Sequence, residues 1–93
     1  MKTLSLNLKQ EYFDQIKSGT KNEEYRLRNR YWINRLSNKD FDQVEIKLGY
    51  PSKKDTKRVM VFECDGVVVK SINHEEFGGK AEVYAIQLGK RIS

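Results

Sequence analysis

Residues Leu4 to Arg28, LSLNLKQEYFDQIKSGTKNEEYRLR, change hydrophobic period twice in 25 positions. Leu4, Leu6 and Leu8 alternate with Ser5, Asn7 and Lys9, which sets the leucines on one face of a strand. From Gln10 the apolar spacing changes: Tyr12, Phe13 and Ile16 fall at i, i+1 and i+4, one stripe of a short helix that Gly19 ends as a C-cap. Alternation then returns over Glu23 to Arg28, a half-buried strand with Tyr25 and Leu27 on one face and Glu24, Arg26 and Arg28 on the other. The opening of the chain therefore reads strand, helix, strand.

Working outward, Trp32 and Leu36 lie one turn apart with Ile33 beside them, so a second short helix is predicted over Tyr31 to Leu36, stopped by Ser37-Asn38-Lys39-Asp40. Val44, Ile46 and Leu48 mark a third strand that ends at Gly49-Tyr50-Pro51. Arg58 to Cys64 and Val67 to Ile72 read as two strands joined by an Asp65-Gly66 hairpin turn, and Val83 to Leu88 as the last strand. The expected class is α+β: a small mixed β-barrel of about five to six strands with two short helices inserted early. Parallel βαβ winding fits poorly, because tight turns join the later strands.

The chain has 93 residues, one domain's worth spanning 1–93, which excludes a multidomain enzyme. Aromatics at 11% are too many for a chain that stays disordered. Cys64 is the only cysteine and His74 the only histidine, so neither a disulfide nor a zinc cluster is available, and the reading calls for no metal and no cofactor. Cys64 sits among apolar strand residues and reads as inert packing, and His74 beside Glu75 and Glu76 as surface. With no signal-peptide pattern and no apolar run of about 20 residues, a cytoplasmic protein without a membrane partner is expected.

Net charge is +5, and it is unevenly placed. Residues 26–35 hold four arginines and no acid, for +4, residues 51–58 carry +3, and the remainder sums to −2. The first segment supplies Arg26, Arg28, Arg30 and Arg35 together with Tyr31 and Trp32. Tyr31 and Arg35 are one helical turn apart, a spacing that lets a ring stack a base while guanidinium groups meet phosphates, whereas Trp32 turns to the core with Leu36. Lys53, Lys54, Lys57 and Arg58 either extend that track or form a solvated loop, and Tyr50 either walls a cleft or caps the end of the barrel.

Gly19-Thr20-Lys21-Asn22-Glu23-Glu24-Tyr25-Arg26 puts an ammonium, a carboxylate and a guanidinium at one helix-to-strand junction. Such a set can orient a planar polar ligand or a phosphate. It equally composes a solvated strand face of surface ion pairs.

The stretch from Leu4 to Arg26 resembles the start of an ASCH domain, a small β-barrel family related to PUA domains, in which a Gly-x-Lys-x-x-Glu-x-Arg motif links the first helix to the second strand. Gly19, Lys21, Glu24 and Arg26 stand at those positions. Phe41 to Ile46 is similar to the family's third-strand entry and Val83 to Leu88 to its closing strand. The resemblance implies binding of RNA or a nucleotide in a cleft beside the barrel, bordered here by Lys21, Glu24, Arg26, Tyr31 and Arg35. RNA is expected over DNA, since a stacking pocket with few donors suits unpaired bases.

One bacterial subgroup of the family hydrolyses the amide of N4-acetylcytidine with a lysine, a threonine three residues later and a distant glutamate. Lys21 matches the lysine, but Glu24 stands at the threonine position, and little chain is left for the insert that carries the glutamate. Those departures weigh against that reaction and leave the cleft untouched. A hydrolase acting on a modified nucleoside or on RNA would use Lys21 as base or nucleophile and Glu24 as proton shuttle. Pairing of the two keeps the lysine a cation. The third class of function is an accessory module that turns its basic face to an acidic protein partner.

Overall fold

A computed structural model describes all 93 residues. Its elements are β1 (Thr3–Leu8), α1 (Gln10–Ser18), β2 (Glu23–Leu27), α2 (Arg30–Leu36), β3 (Gln43–Leu48), β4 (Val59–His74) and β5 (Gly79–Arg91), with 3-10 turns at Thr56–Arg58 and Glu75–Phe77. The five strands form one mixed sheet in the order β1-β3-β4-β5-β2, a small α+β fold with two helices.

The first two elements follow from their local patterns. Leu4, Leu6 and Leu8 enter the core from alternate positions of β1, and Phe13 and Ile16 join them from α1. Gly19 ends α1 in the left-handed region at φ 85°, a conformation that a residue with a Cβ reaches only under strain. That cap also shapes what comes next, because the amides of Thr20 and Lys21 both donate to the Gln15 carbonyl, at 3.0 and 3.1 Å. α2 starts one residue earlier than the spacing predicts, with Asn29 as N-cap accepting from the Trp32 amide at 3.0 Å. No helix is long and apolar enough to cross a membrane.

Asp65-Gly66 is not a hairpin turn. The two strands expected on either side of it are one 16-residue strand, β4: Val59 to Glu63 pair with β3, while Phe62 and then the stretch from Cys64 to His74 pair with β5. The register shifts at Phe62/Cys64 and again at Cys64/Gly66, and Gly66 has φ 119°. An irregularity of this kind bends a strand, and here it lets β4 serve both halves of a curved sheet. The true hairpin lies at Glu75–Phe77 and the two glycines after it, where β4 turns into β5.

Two further expectations change. β1 and β3 run parallel, joined by α1, β2 and α2, so one parallel pair sits in an otherwise antiparallel sheet. The sheet also stays open, since β1 and β2 are its two edges and no backbone ladder joins them. In β5, the consecutive residues Val83, Tyr84, Ala85 and Ile86 are all buried, as befits a strand covered on both faces.

Candidate functional site

A cleft of about 530 Å³ occupies the gap between the open edges, lined by Ser5 to Leu8 of β1 and Glu24 to Leu27 of β2, with α2 and the β4–β5 turn as its remaining walls. Its floor is an ion cluster. Glu24 is only 4% exposed, and each of its carboxylate oxygens meets one cation: Oε1 meets Lys21 Nζ at 2.8 Å, and Oε2 meets Arg26 Nη1. On the β2 face that reads either as a pocket lining or as a solvated surface, Glu24 is buried and Arg26 partly so, while Arg28 further along it is exposed, as is Leu27 on the other face. Burial is tolerable because the carboxylate has a donor on each oxygen, and no buried side-chain polar atom in the protein lacks a partner.

Each cation of the cluster is held from several sides. The Lys21 ammonium lies 4.6 Å from the Tyr12 ring centroid and 5.1 Å from that of Tyr25. Arg26 donates to the Tyr25 carbonyl at 2.9 Å and, across the gap, to the Asn7 carbonyl of β1 at 3.1 Å, with its guanidinium 5.4 Å from the Trp32 ring. On the next wall Arg35 donates to the Tyr31 hydroxyl at 2.9 Å and lies 5.5 Å from the rings of both Tyr31 and Trp32. Tyr31 and Trp32 meet edge to face with centroids 5.0 Å apart.

The opposite wall is built by a contact between distant parts of the chain. Lys9 pairs with Glu76 of the β4–β5 turn, next to Tyr12 and His74. Hydrogen bonding to Lys9, then to Tyr12, holds the Glu76 carboxyl below its ordinary range. The same carboxylate, with burial second, pushes the Tyr12 phenol well above its ordinary value. His74 accepts from the Glu76 amide through Nδ1 at 3.1 Å and sits 5.8 Å from the Phe77 ring.

Of the residues singled out from the sequence, Lys21, Glu24, Arg26, Tyr31, Arg35 and Tyr50 line this one cleft. Arg28, Arg30, Lys53 and Lys54 do not. Arg28 pairs with Glu82 at 2.9 Å and lies over the Tyr84 ring, Arg30 is exposed at the start of α2, and Lys53 and Lys54 are exposed in the loop before the first 3-10 turn. Sequence reasoning missed Tyr12, Lys9 and Glu76, and read His74 as surface and Trp32 as core only. Trp32 packs on the core and also lines the cleft. A single 3-10 turn, with no helical insert, carries a distant glutamate, Glu76, to the cleft wall.

No protein-family model matches the chain, and no curated protein or solved structure matches it significantly.

Proposed function

We propose that this domain is an ASCH-like, PUA-related fold that binds RNA or a nucleotide in the cleft between its open sheet edges. One observation carries the reading: three of the four residues of the Gly19-x-Lys21-x-x-Glu24-x-Arg26 motif meet in a single ion cluster on the cleft floor, and the fourth, Gly19, ends the helix that delivers Lys21. Beside the cluster stand the arginine and aromatic pair of α2, a combination suited to a base and a phosphate together. Short single-stranded RNA titrated at two salt concentrations tests the proposal. Affinity falls as salt rises, with log K changing by about −0.7 per log unit of salt for each phosphate neutralised. Absence of binding at low salt by RNA and by mononucleotides alike, or binding unchanged in Arg35→Ala, overturns it.

A second reading, hydrolysis of a modified nucleoside amide, has one specific observation in its favour. Glu76 supplies the cleft with a second carboxylate from far along the chain, the kind of residue that the bacterial subgroup's reaction requires. Against it, the Lys21 amino group is engaged by Glu24 at 2.8 Å and faces two rings, an arrangement for binding rather than for attack. Incubation with N4-acetylcytidine separates the readings: turnover that disappears in both Lys21→Ala and Glu76→Gln establishes the hydrolase, and no turnover leaves the binding domain.

A further inference from the structure

Charge pairing inside the cleft leaves one cation without a carboxylate. Lys9 is paired with Glu76, and Lys21 and Arg26 share Glu24, whereas Arg35 has only the Tyr31 hydroxyl and two ring faces. A guanidinium has five N–H donors in a rigid plane, and the Tyr31 hydroxyl takes only one nitrogen's, Nη1, which leaves others for a ligand. An anion entering the cleft therefore meets one prepared charge.

The aromatic side chains divide in the same way. Tyr12 and Tyr25 each carry the Lys21 ammonium, and Trp32 has the guanidinium groups of Arg26 and Arg35 against it. Tyr50 has neither a cation nor another ring beside it and is 90% exposed. The backbone that carries it is anchored at the rim, because the Gly49 amide donates to the Leu8 carbonyl at 3.0 Å and the Asn7 side-chain amide donates to the Gly49 carbonyl at 2.6 Å. A large ring on a turn pinned to the cleft wall, with no packing role, is a platform for a flat ligand.

Resting on the nucleotide-binding reading above, we infer that the site takes a single phosphorylated nucleotide, with its base on Tyr50 and its phosphate on Arg35, rather than a run of RNA. The cleft volume of about 530 Å³ is that of a small-molecule site. The arginine and lysines that would extend a phosphate track, Arg30, Lys53 and Lys54, lie outside it. A free nucleoside monophosphate and the phosphorylated end of an RNA present the same chemistry.

Titration calorimetry with ribonucleosides, their 5′- and 3′-monophosphates, and short single-stranded RNA with and without a terminal phosphate tests this on the wild type, Arg35→Ala, Tyr50→Ala and Tyr50→Phe. Arg35 and Tyr50 are both exposed, so the variants keep the fold. Monophosphates bind about 10- to 100-fold more tightly than their nucleosides, and Arg35→Ala removes that difference. Tyr50→Ala weakens both classes roughly 5- to 100-fold, and Tyr50→Phe leaves them unchanged. Salt weakens monophosphate binding only shallowly, because a single phosphate outside a strand carries no condensed counterion atmosphere to release. RNA that binds as tightly as the monophosphate only when its end is phosphorylated identifies an RNA terminus as the ligand, and RNA that does not compete identifies the free nucleotide. RNA binding with a slope of several phosphates, and none of monophosphates, overturns this inference while the RNA-binding reading stands. Equal affinity for nucleoside and monophosphate overturns the role of Arg35, and no binding of any probe overturns both readings.

Discussion

Glu24→Gln removes the charge on which the cleft floor is built. The carboxylate is buried, and its two partners are nearly so, with side chains 15% exposed for Lys21 and 17% for Arg26. Glutamine keeps the shape and one acceptor, turns an N–H₂ group toward one of the two cations, and leaves both without a counter-charge. Breaking a buried ion pair from one side costs about 3–5 kcal/mol, and the residual water access of the two cations lowers that to about 2–3 kcal/mol. In a domain of this length each kcal/mol moves Tm by about 4–8 °C, so a fall of about 10–20 °C is expected. Urea unfolding followed by fluorescence of Trp32, the single tryptophan, measures the same change as a lower midpoint at constant m. Replacing Lys21, Glu24 and Arg26 together by Met, Leu and Met recovers part of the loss, since no unpaired charge then remains. A Glu24→Gln loss under about 1 kcal/mol, or a triple variant no more stable than the single one, refutes the argument that the cluster is a mutually dependent buried unit.

Three other perturbations follow from contacts elsewhere in the fold. A Cβ at Gly89 would lie 2.5 Å from Asp65 Oδ1, but Asp65 is exposed and its carboxylate can swing aside, so Gly89→Ala costs less than about 1 kcal/mol in the same urea assay. Asn29→Ala removes the α2 cap and costs about 0.5–2 kcal/mol, with weaker Arg35-dependent binding because α2 carries Arg35. Glu76 has a folded pKa below its ordinary 4.5, so its contribution to stability is present above that value and is lost as pH falls through the folded pKa. Lys9 and Tyr12 are raised, so their contributions are present below their ordinary 10.5 and 10.0 and are lost as pH rises past them. Tm measured against pH therefore declines less steeply at both the acid and the alkaline end in Glu76→Gln than in the wild type.

The parts of the fold that were legible in the sequence are those decided within a few residues. The leucine alternation of β1, the Phe13 and Ile16 stripe of α1 and the Gly19 cap each carry their own instruction, and the meeting of Tyr31 with Arg35 follows from helical spacing alone. Asp65-Gly66 was misread because the same dipeptide serves a hairpin or a strand irregularity, and the choice depends on a partner strand that lies later in the chain. What the charged face of β2 meets stayed open for a related reason. Alternation predicts which residues share a face but not what that face meets, and at an open sheet edge the inner face meets a cleft whose charges satisfy one another. Lys9 and Glu76 carried no signal at all, being 67 positions apart.

The open edge also explains why the arginine-rich segment offers less to an anion than its charge suggests. In a closed barrel β1 and β2 would be joined by backbone hydrogen bonds and no gap would remain. Here the Arg26 side chain spans the gap, bonding the Asn7 carbonyl on one strand and the Tyr25 carbonyl and Glu24 on the other, so it ties the edges together while leaving space between them. Arg26 is thereby committed to structure, and Arg28 is committed to Glu82 on β5. Of the +4 that residues 26–35 carry, Arg35 alone lines the cleft without a carboxylate partner. A cleft held open by one guanidinium and baited with another binds an anion with shallow salt dependence, and removing the first should collapse the site where removing the second only empties it.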